Sequence, residues 1–274
     1  MVVPNIVTGI IRVRDARATA VWASRDGYMA WHIARLDLPS CAWYLRAMRT
    51  HLCSKLAAGL TLSFVFSTSG LAHAEKVAEP ATNVQFDAQK SVDGKSYTLV
   101  GVGLRKKFVV KVYAMAMYVE DVEGKRAFPS LATKAGGRDK AKLTEGDRAQ
   151  SFLLWGQFGK LAVLHFVRDV SASQVRDAFQ DGLGEELSDK APPDVREATQ
   201  TFLKTVDRDM KSGEEITLRS GPDGKIEMSM GGQAKGPVQN AKLARGLWAV
   251  WLGAKPISKD LRSELVNRID ALGN

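Results

Sequence analysis

An arginine and a tyrosine a few residues apart on neighbouring strands are a familiar way to hold an acid. In the stretch Gly101-Val-Gly103-Leu-Arg105, followed by Lys111-Val-Tyr113-Ala, a guanidinium offers a rigid fork of donors. A phenol adds one further O–H. Brought to one sheet face, Arg105 and Tyr113 could grip a carboxylate or a phenolate. The same spacing also allows a plainer reading, with Arg105 a solvated charge at a hairpin and Tyr113 core filling. Met115 and Met117 share the alternation of Tyr113 along the strand, and a flexible thioether suits a variable apolar partner as well as an ordinary core.

Other chemistries find little support. His165 is the only histidine after residue 74 and sits in an apolar run, which suits a satisfied core histidine better than a catalyst. Both cysteines, Cys41 and Cys53, lie in the first quarter. Beyond residue 74 there is thus no thiol, no disulfide and no cysteine- or histidine-rich metal centre. Gly101-x-Gly103 lacks the third glycine of a dinucleotide fingerprint and runs into Arg105 instead of a helix. Lys106-Lys107 reads as a solvated hairpin tip that could draw anions. No cofactor is expected.

The elements that must carry these residues alternate in type. Asp93-Gly94 is a hairpin turn signal. The runs SYTLVGVGLRKK and FVVKVYAMAMYVED are rich in β-branched and aromatic residues and read as strands, the second covered on one face and lining something on the other. A polar stretch from Val122 to Gln150 holds one short helix candidate. KLAVLHFVRDV (160–170) reads as a buried strand. Ser171 to Gln174 has capping-box spacing, and Val175, Ala178, Phe179 and Leu183 continue at helical intervals. A helix from Pro192-Pro193 through about Met210 carries Val195, Ala198, Phe202, Leu203 and Val206. EEITLRS and KIEMSM, joined by Gly221-Pro-Asp-Gly224, form a hairpin. Helices over Asn240–Leu252 and Ser258–Leu272 close the chain. Strands first, helices inserted and helices last make an α+β domain.

The 274 residues carry a formal charge of +9, which on its own invites a nucleic-acid partner. Its position removes the invitation. Residues 1–74 hold 8 Lys and Arg against 3 Asp, leaving 31 against 27, or +4, for the other 200 residues. Met48 to Ala74 reads as a signal peptide: Arg49 and Lys55, an apolar core from Leu56 to Phe66 too short to span a bilayer, then the small-x-small site Ala72-His73-Ala74. Residues 1–47 then read as an over-extended start or a long leader, 75–81 as a linker, and 82–274 as the working domain. The expected location is periplasmic or secreted, with no integral membrane span in the mature part and no nucleic-acid partner.

With these segments laid out, the chain resembles the chalcone isomerase family, as an exported, bacterial-type member. LVGVGLRKKFVVKVYAMAMYVED is similar to the family's Gly-x-Gly-x-Arg strand, hairpin and Lys-Val-Tyr-Ala strand ending in Tyr-Val-Glu. KLAVLHFVRDVSASQVRDAFQDGL and AKLARGLWAVWLGAKPISKDLRSEL fit in order, and the resemblance covers nearly all of 82–272. It implies an open-faced β-sandwich: a large antiparallel sheet with helices on one face and a ligand cleft between. In the enzymes of that family an arginine at the Arg105 position holds the attacking phenolate. The catalytic threonine position falls on Tyr113, as in the fatty-acid-binding members, where Arg and Tyr hold the lipid carboxylate. The enzymes' Tyr and Asn fall on Val175 and Gly182, and their Thr or Ser on Val250. Ring closure needs charge stabilised at both the nucleophilic oxygen and the enone carbonyl, and Arg105 serves one end only.

The resemblance therefore implies a non-catalytic binder of a fatty acid, or of another small amphipathic or polyphenol-like ligand. Arg105 and Tyr113 would take the head, and Met115, Met117, Phe179, Trp248 and Trp251 the apolar part. An intramolecular lyase acting through Arg105 and a structural or partner-binding protein stay open as alternatives.

Overall fold

The structure, a computed structural model, describes residues 75–273. The expected leader, start extension and cleavage site at 1–74 lie outside the described residues. After a short hairpin of β1 (Lys76–Ala78) and β2 (Gln85–Asp87) come β3 (Gln89–Val92), β4 (Lys95–Lys107) and β5 (Val110–Glu120). Helices α1 (Asp121–Ala135), α2 (Lys140–Thr144) and α3 (Arg148–Trp155) lead to β6 (Lys160–Phe166), and α4 (Ala172–Gly182), α5 (Gly184–Leu187) and α6 (Pro193–Lys204) follow. Strands β7 (Glu215–Ser220), β8 (Lys225–Met230), β9 (Gln233–Ala234) and β10 (Val238–Gln239) precede α7 (Ala241–Leu252), α8 (Lys259–Glu264) and a 3-10 turn over Ile269–Gly273.

Eight strands form one antiparallel sheet in the order β10-β8-β7-β6-β5-β4-β3, with β9 on β8. Alternation divides its side chains cleanly. Tyr113, Met115, Met117, Ala162, Leu164, Ile216 and Leu218 point to the helices, where they join Phe179, Trp248 and Trp251 in the main core. Ala114, Ala116, Tyr118, Leu161 and Val163 point the other way and are covered by Phe86 and Val77 of the β1–β2 hairpin. Both faces of β5 are therefore buried, where the sequence suggested one covered and one lining face. The expected α+β sandwich with helices on one face stands.

Strand β4 is long but its partner β3 is short. Pairing with β3 ends at Thr98, so the outer edge of β4 beyond it meets no strand. Unpaired backbone groups there would be costly once buried. The chain from α8 onward supplies the missing partners. Glu264 Oε2 accepts the Leu104 N–H at 2.9 Å, and the Arg268 N–H donates to the Val100 carbonyl at 2.9 Å. The Asn267 side-chain amide meets both groups of Val102, accepting from its N–H at 3.4 Å and donating to its carbonyl at 3.2 Å. Such closeness requires Gly101 and Gly103. A Cβ on Gly101 would fall 2.1 Å from the Leu265 backbone, and one on Gly103 2.6 Å from Glu264. This also explains why the expected single helix over 258–272 breaks after Glu264: the backbone must turn so that Asn267 and Arg268 reach the strand.

Two other expectations shift. The polar stretch after β5 holds three helices, the first capped by the Glu120 carboxylate accepting from Val122 and Glu123 N–H. The helix from Pro193 stops at Lys204 because Met210 pairs with Val170 in an isolated bridge. The capping box at Ser171 and Gln174 is present as expected.

Gly101→Ala is expected to lower stability by about 3 kcal/mol, since backbone on the far side cannot yield. Asn267→Ala is expected to cost about 2 kcal/mol by orphaning both Val102 groups. Gly184→Ala, where a Cβ meets open space, is expected to be near neutral. Urea midpoints of the three variants, compared with the parent, check the order.

Candidate functional site

Arg105 and Tyr113 are direct cross-strand partners in the β4–β5 ladder. A bulge makes them so. From the tip the pairing runs Lys107 with Val110 and Lys106 with Lys111, then skips to Arg105 with Tyr113. Val112 is the extra residue. Without it Arg105 would face Val112, and the phenol and guanidinium would lie on opposite faces, because a one-residue slip inverts a strand. Nothing in the side-chain types announced this bulge; spacing raised the pair as one of two readings, and the resemblance favoured it.

Tyr113 is buried against Phe166, with ring centroids 5.6 Å apart. Its hydroxyl oxygen accepts a hydrogen bond from Trp251 Nε1 at 3.0 Å. That leaves the phenol's own proton to donate, and no described residue takes it. Burial pushes the Tyr113 ionisation up to about 12, against smaller downward pulls from the Trp251 hydrogen bond and the Arg105 charge. The phenol is thus a neutral donor across the physiological range. Arg105 sits half-buried at the rim, where its guanidinium donates to the Lys106 carbonyl and meets no carboxylate among the described residues.

The remaining sequence-derived residues gather behind this pair. Trp251 meets Phe179 edge-on at 6.1 Å and Trp248 at 6.3 Å, and Phe179 meets Phe202 edge-on at 5.3 Å. Trp248 donates its indole N–H to Ser220 Oγ at 2.7 Å. Met115 and Met117 continue the Tyr113 face inward, paired across β4 with Gly103 and Gly101. Tyr113, Met115, Met117, Phe179, Trp248 and Trp251 are all at most 8% exposed. They fill the space behind Arg105. Two open cavities, of about 580 and 630 Å³, lie elsewhere: one beside Lys95 and Glu120 to Glu123, the other between α1 and α3. Neither is lined by any of the seven residues.

Of Val175, Gly182 and Val250, where the resemblance places enzymatic polar groups, the last two meet. A Cβ on Gly182 would lie 2.9 Å from both Val250 methyls, so helices α4 and α7 touch there through a glycine and a valine. Val175 is buried in the same core. These positions present no side-chain donor.

His165 lies on the opposite sheet face, paired with Ala114 and Glu215. It is satisfied, as expected, by Glu215 Oε1 at 3.2 Å, though partly exposed and not in the core. Sequence reading passed over Lys160, which is 6% exposed. Its ammonium donates to the Gly156 carbonyl at 2.8 Å and lies 4.9 Å from the Phe158 ring centre. Burial lowers its ionisation to about 8, helped by the Arg245 charge. A lone lysine opening an apolar strand gave no signal of this. Among the described residues no cluster of His, Cys, Asp and Glu could hold a metal ion, and no helix is long and apolar enough to cross a membrane.

Comparison with known proteins bears on the family and the fold. A sequence model described as chalcone isomerase-like matches residues 78–138 and 143–267. Fatty-acid-binding protein 1 of Arabidopsis thaliana is 26% identical over 212 residues, covering 72% of each chain. The crystal structure of an Arabidopsis thaliana fatty-acid-binding protein superposes with a TM-score of 0.59 at 23% identity, covering 73% of this chain and 99% of that one, and shows a common fold.

Tyr113→Phe is expected to cost roughly 1–2 kcal/mol near neutral pH, because it leaves the Trp251 N–H without an acceptor. Above the ordinary tyrosine range the difference shrinks. In the parent the unfolded phenol ionises near pH 10 and the folded one near 12, so Tyr113 withdraws up to about 3 kcal/mol of stability across that window. Urea unfolding of both proteins from pH 8 to 12 checks that the two stability curves converge above pH 10 and then cross.

Proposed function

The chain belongs to the chalcone isomerase-like family, and we propose that it is a non-catalytic member that binds a fatty acid or a similar amphipathic carboxylate. The observation that carries this reading is the Arg105–Tyr113 pair on one face. A guanidinium without a carboxylate partner stands beside a buried neutral phenol whose proton is unclaimed. An acid head needs those donors, and a cation plus a neutral O–H discriminates a carboxylate from a neutral lipid. The relative named for fatty-acid binding, matched over 72% of each chain, supports the ligand class.

Ring-closing catalysis is disfavoured by the same region. The positions that would supply its second charge centre hold Val175, Gly182 and Val250, and those groups cannot stabilise an enolate. Met115, Met117, Phe179, Trp248 and Trp251 would accept the acyl chain. They occupy the space themselves, so binding has to displace them. The adaptable methionines are where room is made at least cost. The filled interior also favours a second reading, a structural or partner-binding role with Arg105 idle. The proposed site of action is outside the cytoplasm, following the signal-peptide pattern at 48–74.

Protein purified from an overproducing host is expected to carry fatty acid detectable by mass spectrometry after denaturation. Arg105→Ala is expected to abolish that cargo and to weaken binding of an added fatty acid at least tenfold, with Arg105→Lys in between. A wild type without cargo and without affinity in titration would sink the ligand reading in favour of the structural one. Mass analysis of the exported protein with Glu75 as its first residue checks the location.

A further inference from the structure

The β4–β5 hairpin ends in a pair of residues that a soluble surface has no use for. Phe108 and Val109 are each 91% exposed and Val110 is 39% exposed. Phe108 occupies the first turn position at φ 56, where two-residue hairpins favour glycine and a bulky aromatic residue is disfavoured. The neighbouring hairpin uses the residues such turns prefer, Asp93 at φ 49 and Gly94 at φ 74. At Phe108 the chain thus spends backbone strain on holding an aromatic ring in water.

The hairpin itself carries charge of one sign around the tip. Arg105, Lys106, Lys107 and Lys111 flank the three apolar residues, with no acidic residue from 105 through 112. Lys106 and Lys111 are cross-strand partners, two like charges held side by side. Lys111 donates to the Ala81 carbonyl at 2.6 Å and has no carboxylate partner among the described residues. Lys106 and Lys107 have no carboxylate partner among the described residues.

An apolar point projecting from a collar of lysines matches one environment in particular: the interface of a bilayer, where hydrocarbon lies beneath anionic head groups. We propose that the tip Phe108–Val109 inserts into the interface of an anionic membrane, with Lys106, Lys107 and Lys111 on the phosphates. Docking by this tip places Arg105, at its base, at the level of the head groups. The inference stands on exposure and charge at the tip and does not need the ligand to be a fatty acid.

The test is co-sedimentation with vesicles, using phosphatidylcholine alone and phosphatidylcholine mixed with phosphatidylglycerol. The full protein is expected to bind the mixed vesicles, to bind plain ones far less, and to be released by high salt. Phe108→Gly with Val109→Ser suits the turn better than the parent sequence and should fold at least as well, yet it is expected to lose vesicle binding at least tenfold. Lys106→Gln with Lys107→Gln is expected to lose more than tenfold, at about fivefold per lysine near an anionic surface. Failure of the parent to bind mixed vesicles, or full binding by the tip variant, would overturn the proposal. So would a concentration-dependent dimer that the tip variant loses in the absence of vesicle binding, because the occupant would then be a second copy. Fatty-acid titration of the same variants without vesicles separates this result from the ligand reading: unchanged affinity with lost docking leaves the latter intact.

Discussion

The open edge of β4 is the constraint from which most of this molecule follows. A 13-residue strand with a 4-residue neighbour leaves backbone groups that neither water nor a partner strand can satisfy. Side chains and backbone from Glu264 to Arg268 complete the ladder instead. This solution demands glycine at 101 and 103, a break in the last helix, and a polar amide at 267 in place of an apolar residue. It also keeps β4 from slipping. Because the asparagine reads both groups of one residue, the strand's position is pinned independently of its turns.

Pinned strands let two bulges act as switches of face. Val100 is the extra residue near the start of the β4–β5 pairing and Val112 the one near its tip. Between them the alternation sorts glycine, methionine and tyrosine toward the helices, and alanine and leucine toward the small hairpin. The second bulge then puts a rim cation beside a buried phenol. Binding chemistry here is a matter of register: the residue types are ordinary, and their coincidence on one face is what makes a place for an acid.

Much of this was legible in the chain beforehand, for identifiable reasons. Alternation in 110–120 and the Asp93-Gly94 turn carry strong local signals, and so do the capping box at Ser171 and the Pro193 helix start. Sheet and helix layers, and the gathering of Phe179, Trp248 and Trp251 behind Tyr113, follow from those signals and the family resemblance. What stayed hidden was set by contacts distant in sequence. The break after Glu264 answers to a strand edge on the other side of the chain. Lys160 looks like any strand-opening lysine until Phe158 and Gly156 enclose it. The full packing behind Arg105 depends on side-chain volumes summed over several elements, which no single segment displays.

Completing one strand with residues about 160 positions later also orders events in time. As the chain emerges during synthesis, β4 and β5 are available early, yet the outer edge of β4 has no partner until the closing segment has been made. Pairing across so long a loop is slow, because the closure entropy must be met before any contact forms. Until then the nascent protein presents a long, unpaired strand edge, the kind of surface on which chains add to one another. Its most vulnerable moment is therefore the interval before Glu264 to Arg268 are made, and a chaperone that shields β4 during that interval would do more for yield than one acting on the finished fold.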